Sequence, residues 1–488
     1  ATDPAARGAL PSSETVIREL LAVVRASGHE AWLVGGTVRD RYMGRPCADL
    51  DVVLGDESAH EVRALAVRLA SALRAPHFTL SSEFGAERIV WQGGHLDLSP
   101  LRGRCIEEDL ALRDFTVNAI ALPLGGGSPC DPYGGIDDIA RMRLVAVCDG
   151  TFRSDPVRLL RAVRFARTHG LAIDHSTAAM AGRDAHLLAD AAGERLLAEV
   201  VATFQAGSAS TAVALWDELG VLIHLFPEVA ALRGVKCGIG DHDDVYRCTL
   251  KALDELDFML EFPEARFSES VDELSERIRE NVDGSVPRPA ALRLAVLLHD
   301  IVGPSASGST VGPSTSHPGR SKRPRFCERE GKGPAVAGAV CERLRCSAAL
   351  TGLVGRVVAG YQWVGLLRDQ EVVRTRDEVG FLWKASPWEP ELIMASVARW
   401  AAGEEYEVTD CLESGYLTLA GRLMRRWSER RRNGVPPLPV RGDELSRLVG
   451  ISPGPELGAM LKALRLEWEA GELKNQGEVM ARAIIMCL

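Results

Sequence analysis

The sequence predicts an α+β chain, a mixed α/β head over residues 15–150 followed by a long all-helical remainder. Short apolar stretches with strand-like alternation alternate with helix-period stretches up to residue 148. From Asp155 onward the texture changes to helix after helix. A chain of 488 residues also exceeds what one core ordinarily organises, so several domains are expected.

Val16, Ile17, Leu20, Leu21 and Val24 keep helical spacing over 14–27, and Gly28 stops it. Ala31 to Val34 reads as a strand closed by Gly35-Gly36, with a helical turn after it. Residues 49–54 alternate like a strand and then become continuously apolar. A helix over 59–74 and strands near 87–91 and 95–99 complete a small α/β unit. Residues 114–148 are expected to add another strand pair, separated by glycine-rich turns at 125–127 and 134–135. The Ser/Gly/Pro-rich segment 302–323 reads as a disordered insertion, and helical texture resumes near 335. The division that follows is a head (15–150), a helical neck (151–230), a helical body holding the insertion (231–370) and a helical tail (371–488).

Hydrophobic content of 46% with 25% charged residues describes a soluble globular protein. No apolar run approaches the roughly 20 residues of a membrane span, so no membrane association is expected. No basic-then-apolar leader opens the chain, and Ala1 in place of Met points to a trimmed N terminus. The 11 cysteines show no C-x-x-C pair, which fits reduced thiols in a cytoplasmic protein. A net charge of −10 by itself argues against nucleic acid as a partner. Arg153, Arg158, Arg161, Arg164 and Arg167 nevertheless fall in one stretch, and a local basic stripe can hold phosphates. A solvated helix face would give the same composition.

Asp49 and Asp51 stand two apart in the predicted strand, so both side chains leave one face. Like charges there favour a shared cation, and hard oxygen donors with room for water suit Mg²⁺ bridged to phosphates. In two-metal chemistry one ion activates the attacking hydroxyl and the other steadies the leaving group. The pattern alone equally fits a polar strand edge. Just upstream, Leu33-Val34-Gly35-Gly36-Thr37-Val38-Arg39-Asp40 runs a strand into two glycines and a helix start. Backbone N–H groups and the helix dipole favour an anion at such a turn, and Arg39 offers a fork for phosphate oxygens. A nucleoside triphosphate with Mg²⁺ needs that set.

The segment LVGGTVRDRYMGRPCADLD resembles the signature of the class II tRNA nucleotidyltransferases (CCA-adding enzymes) and bacterial poly(A) polymerases. The resemblance implies a polymerase-β-like head. It puts Gly36 and Arg39 on the triphosphate, Asp49 and Asp51 on the catalytic metals, and Asp97 as a third acidic ligand. Residues 107–119 (EEDLALRDFTVNA) resemble the second family motif, RRDFT-x-NA, with Leu112 replacing its first arginine. By that resemblance Arg113 contacts nucleotide, while Asp114 and Asn118 hold the ribose and the frame of the site. Asp131-Pro132-Tyr133-Gly134-Gly135 resembles the hinge motif that follows.

Asp155 and Arg158, three apart, are neighbours on a helix and can present one joint edge. A carboxylate accepts from the exocyclic amine of C or A, while Arg donates to the ring acceptors beside it. U and G carry a carbonyl in place of that amine and are rejected. In the E-D-x-x-R motif of the family this pair substitutes for a template base; here Ser154 replaces the Glu. The other reading is that Asp155 caps the helix, with Pro156 at its first position. Arg161 and Arg164 correspond to further nucleotide-contacting arginines.

His242 and His299-Asp300 lie where many bacterial members carry an HD phosphohydrolase domain. The usual Gly-Lys after His-Asp is missing, and Ala-Gly-Tyr-Gln-Trp at 359–363 replaces the expected histidine pair. A degenerate HD-like region with absent or very weak hydrolase activity is expected.

The resemblance thus implies a template-independent tRNA 3′-terminal nucleotidyltransferase using CTP, ATP and Mg²⁺, with tRNA as partner and no obligate protein partner. The alternatives are a poly(A) polymerase on other RNAs, an HD-type phosphohydrolase with an idle head, and an RNA-binding scaffold. Full CCA-adding relatives carry a longer flexible loop between the third-carboxylate strand and the second motif. Only Ser99 to Ile106 intervene here, as in the CC-adding members, and so short a link has little slack. The expectation is good addition of the two C residues and poor addition of A.

Overall fold

The computed structural model describes residues 13–487 apart from 48, 56–57, 82–83, 92, 237–243, 302–331 and 403–414. The expected insertion at 302–323 and His242 lie outside the described residues. The chain forms two compact units, one running to Ala191 with Leu219–Val221, the other comprising Ala192–Glu218 and the chain from Leu222 on.

In the first unit, α1 (Ser13–Ser27) precedes β1 (Ala31–Val34), α2 (Gly35–Tyr42), β2 (Leu50–Leu54) and α3 (Ala59–Leu73). Then come β3 (His77–Ser81), β4 (Ala86–Trp91), β5 (Gly94–Pro100), α4 (Ile106–Ala111), β6 (Ala121–Pro123), α5 (Gly135–Ala140) and β7 (Arg143–Leu144). The unit continues through α6 (Thr151–Ser154), α7 (Arg158–His169), β8 (Ala172–Ile173) and α8 (His175–Asp184). Six strands form a mixed sheet in the order β3-β4-β5-β2-β1-β6, with only β2 and β5 parallel. The apolar run of β2 suits its central place: Val52, Val53 and Leu54 are all buried. β4 and β5 alternate buried with half-buried residues, which gives each one core face. Val62, Leu65, Leu69 and Leu73 of α3 form its buried stripe, and Ser58 Oγ caps its start by accepting from Glu61 N–H.

The strand pair expected in 114–148 is reduced to isolated antiparallel bridges, Phe115 with Ala146 and Ala121 with Cys130. β6 joins the main sheet beside β1, and β7 pairs in parallel with β8 instead. The reason is local: Gly134 takes a left-handed conformation (φ 71°), and the Asp131 carboxylate accepts from the N–H groups of Gly135 at 2.7 Å and Ile136 at 3.0 Å. The glycine turn therefore opens a helix, not a hairpin. β3 escaped the sequence reading because it is an edge strand with Phe78 and Leu80 exposed, so no buried periodicity marks it.

The second unit is helical. His299 and Asp300, buried just after the helix Arg288–Leu297, sit at its HD-like centre. Asp300 Oδ1 accepts from the Tyr361 hydroxyl at 2.5 Å and Oδ2 from Arg399 Nε at 2.9 Å, with His299 Nε2 3.3 Å away. Burial opposes ionisation, yet His299, Arg399 and Tyr361 hold Asp300 well below the usual carboxylate range. Tyr361 comes from the segment that lacks the expected histidines, and a guanidinium supplies the positive charge. Along the helix Gly415–Asn433, Arg422 and Arg426 both meet Glu378, and Arg432 meets Glu273, so that arginine row is matched by acids of the same unit. Arg399→Ala would strand a buried carboxylate and is expected to cost about 3–5 kcal/mol of stability. Denaturant unfolding of the purified variant measures this.

Candidate active site

Parallel pairing of β2 with β5 sets Asp51 opposite Asp97. Asp51 also lies against the glycine pair. A Cβ added to Gly35 would stand 3.1 Å from Asp51 Oδ2 and 3.0 Å from Arg113 Nη1; one on Gly36 would stand 3.4 Å from Arg39 Nη2. Gly35 has a φ of 61°, a conformation side chains resist, so a glycine is required there twice over. The turn thereby brings a carboxylate and two arginines to the start of α2. Thr37, which the sequence reading passed over, stitches the turn to β2: its hydroxyl accepts from Asp51 N–H at 2.7 Å and donates to the Asp49 carbonyl at 3.1 Å.

Asp49 departs from expectation. β2 begins at Leu50, so Asp49 sits one residue ahead of the strand and is exposed. Its Oδ1 is 2.7 Å from His95 Nδ1, and His95 Nε2 is 3.8 Å from Asp97 Oδ2. Both Asp97 oxygens are taken by Arg88, through Nε and Nη2 at 2.6 Å each. Arg88 and His95 were not anticipated. The signal for Arg88 is its register opposite Asp97 on β4, which only the sheet pairing reveals.

Burial pushes the Asp51 carboxyl above its ordinary range; Arg113 opposes this and Asp97 adds to it. Such a carboxylate is short of positive charge. Among the described residues, no three acidic, His or Cys side chains stand together as a metal cage. The donor set fits an open site, with Asp49 and Asp51 as oxygen ligands and water or phosphate oxygens filling the other positions, as Mg²⁺ prefers.

The second motif faces the same turn. Arg113 donates to Asp109 Oδ2 at 3.0 and 3.2 Å. Asp114 is buried and accepts from Phe115 N–H at 2.8 Å, Asn118 Nδ2 at 2.9 Å and Arg161 Nε at 2.8 Å. Burial works against its charge, but Arg161, Asn118 and the Phe115 N–H still hold it below the usual range. Asn118 Oδ1 in turn accepts from Arg39 Nη1 at 2.8 Å. The guanidinium groups of Arg39, Arg161 and Arg164 lie 5.3, 5.2 and 4.5 Å from the Phe165 ring centre.

Asp155 and Arg158 do not present a joint helical edge. α7 starts at Arg158, and Asp155 is extended (φ −157°), its Oδ1 accepting from Val157 N–H at 3.2 Å. Arg158 Nη2 donates to the Leu112 carbonyl at 2.6 Å, and Nη1 lies 3.3 Å from the Arg113 carbonyl and 3.1 Å from Ser154 Oγ. The Asp155 carbonyl accepts from Arg158 N–H at 3.1 Å and the Pro156 carbonyl from Leu159 N–H at 3.0 Å, so Pro156 lies in a turn that leads into α7 and Asp155 caps it, as the second reading expected.

Residues 31–145 match the poly(A) polymerase head domain, and residues 170–232 match the probable RNA and SrmB-binding site of polymerase A. Over 460 residues the chain is 28% identical to the A-adding tRNA nucleotidyltransferase of Deinococcus radiodurans, covering 93% of this chain and 94% of that one. Over 467 residues it is 29% identical to the CC-adding tRNA nucleotidyltransferase of Thermus thermophilus, covering 94% and 93%. Head and helical stretches of the chain thus each match a model built on poly(A) polymerases, and its long matches are to tRNA nucleotidyltransferases. The CC-adding family member of Geobacter sulfurreducens is 33% identical over 285 residues, a match spanning 57% of this chain and 61% of that protein's length. The fold is that of the Thermotoga maritima CCA-adding enzyme complexed with tRNA, with a TM-score of 0.61 at 17% identity over 98% of this chain and 97% of that one.

Arg88 neutralises Asp97 and so sets how much negative charge stands beside Asp51. Arg88→Gln is expected to tighten divalent-cation binding about tenfold by releasing Asp97. Calorimetric titration with Mg²⁺ or Mn²⁺ measures it, and unchanged affinity would place Asp97 outside the coordination shell.

Proposed function

We propose that the protein is a tRNA 3′-terminal nucleotidyltransferase of the CCA-adding type, extending tRNA without a template from CTP and ATP. The carrying observation is the convergence on one glycine turn of the Asp51 carboxylate with Arg39 and Arg113, tied through Asn118 and Asp114 to α7. Gly36, Arg39 and Arg113 hold the triphosphate, so its reacting phosphorus lies beside Asp49 and Asp51. Asp49 and Asp51, with Asp97 nearby, would hold Mg²⁺, which would activate the 3′-oxygen and neutralise the pyrophosphate leaving group. The tRNA terminal 3′-hydroxyl attacks the α-phosphate and pyrophosphate departs. Arg161 acts by fixing Asp114, and Arg164, packed on Phe165, faces the nucleotide.

Base choice falls to Asp155 and Arg158. Without nucleotide, Asp155 spends one oxygen on Val157 N–H and Arg158 donates to chain carbonyls. A C or A edge offers the same two chemistries, an amine donor and a ring acceptor, and can take over from those internal partners. The shortness of the link after β5 supports a finer reading, addition of the two C residues in preference to A. Only Leu101–Cys105 separate β5 from α4, and Arg102 and Arg104 are each bonded to the helix they precede, on Asp109 and Glu108.

Asp51→Asn is expected to lower nucleotide addition on the order of a thousandfold with little change in tRNA affinity, since a metal contributes several kcal/mol to the transition state. Single-turnover addition and filter binding measure the two. Asp155→Ala or Arg158→Ala is expected to raise the relative use of UTP or GTP about tenfold, the worth of one base-edge contact. Equal loss with all four triphosphates would mean the pair only shapes the helix start. For the finer reading, a time course runs with tRNA lacking all three terminal nucleotides and both CTP and ATP present. Product ending in CC is expected to accumulate, and prompt conversion to CCA refutes the preference.

A further inference from the structure

In the second unit, the helix Gly333–Arg343 ends in a left-handed turn that brings two cysteines together. Cys346 N–H donates to the Cys341 carbonyl at 2.8 Å and Arg345 N–H to the Glu342 carbonyl at 3.0 Å, with Arg345 at φ 56°. These are the two bonds of a Schellman closure, in which the side chains of the first and last residues meet. That meeting is commonly apolar; here the two positions are both cysteines. With standard bond lengths, the 2.8 Å backbone bond limits the Cα–Cα separation to about 6.7 Å. This falls within the range a disulfide spans, about 4.4–6.8 Å, without backbone movement.

We propose that Cys341 and Cys346 are a reversible dithiol–disulfide pair, closed by hydrogen peroxide and reopened by a dithiol reductant. Cys346 is half-buried and meets the oxidant, whereas Cys341 is buried beneath it. Peroxide converts one sulfur to a sulfenic acid with release of water, and the second sulfur displaces the hydroxyl as water while the S–S bond forms. In all, two thiols lose two protons and two electrons, and one peroxide becomes two waters.

The turn carries more than itself. Arg343 bonds both oxygens of Glu228 at 2.7 and 3.0 Å and the Leu225 carbonyl at 3.1 Å, and its own carbonyl leaves no room for a Cβ on Gly193. Gly193, Leu225 and Glu228 all lie in the segment that matches the RNA-binding model. Closing the disulfide fixes the turn on which that segment rests.

The test treats the full-length native protein with peroxide, blocks remaining thiols after unfolding, and digests with trypsin. Arg343 and Arg345 lie between the two cysteines, so the cross-link appears as two peptides joined until dithiothreitol is added. The joined pair is expected in the wild type and absent in Cys346→Ser, with the oxidised protein melting roughly 3–5 °C higher and reverting on reduction. Alkylatable Cys341 and Cys346 at doses that oxidise the exposed Cys105, Cys148 and Cys487 would overturn the pairing. So would a sulfinic acid on Cys346 with Cys341 still free. A cross-link without any change in melting would overturn the stiffening of the turn.

Discussion

The buried carboxylate of Asp114 is the constraint on which the rest of the head depends. A lone buried charge costs more than a domain's marginal stability tolerates, so its partners must converge and stay. They come from separate parts of the chain: Phe115 N–H and Asn118 from the second motif, and Arg161 from α7. Asn118 passes the constraint on by accepting from Arg39 in the glycine turn. Three distant segments are therefore held to one geometry by one charge. The Phe165 ring, offering its π face to Arg39, Arg161 and Arg164, makes this crowding of like charges bearable. A gathering of arginines so fixed needs no rearrangement before an anion arrives.

The acidic side solves the opposite problem. Asp51 and Asp97 are register partners, and like charges so placed repel. Arg88 quenches Asp97 with a bidentate fork, and His95 reaches Asp49. Asp51 is left with burial against it and Arg113 as its nearest relief. The HD-like centre of the second unit offers a contrast within the same chain. There Asp300 receives Arg399 and Tyr361 and is satisfied internally. One buried acid is closed by the protein itself, and the other is left with its burial only partly offset, beside the glycine turn that gathers Arg39 and Arg113.

What the sequence made legible is what short stretches encode. The continuous apolar run of β2, the Gly35-Gly36 turn and the second motif were each readable from neighbours in the chain. Partners across the sheet were not, because alternation reveals a strand but not its register: Arg88 meets Asp97 only once β4 lies beside β5. The same limit hid the target of Arg158, the carbonyls of Leu112 and Arg113 on another element. Asp49 looked like a strand residue because the D-x-D spacing fits one, yet pairing starts a residue later. The mistaken strand pair came from reading Gly134-Gly135 as a hairpin turn, when Asp131 four residues upstream had already claimed those N–H groups for a helix.

The link from β5 to α4 joins these two halves of the site. Leu101 N–H donates to the Leu54 carbonyl, continuing the alignment of β5 with β2 past the last strand residue. Arg102 then bonds Asp109 Oδ1, while Oδ2 of the same carboxylate holds Arg113. Link and Arg113 thus share one buried acid, whose burial works against its charge but which Arg102 and Arg113 hold below the usual carboxylate range. Swinging the link away would leave Arg113 as the sole cation on this buried carboxylate. On the other side, Arg158 rests on the Leu112 and Arg113 carbonyls at the end of that same motif, so the start of α7 and the link both bear on the segment that carries Arg113.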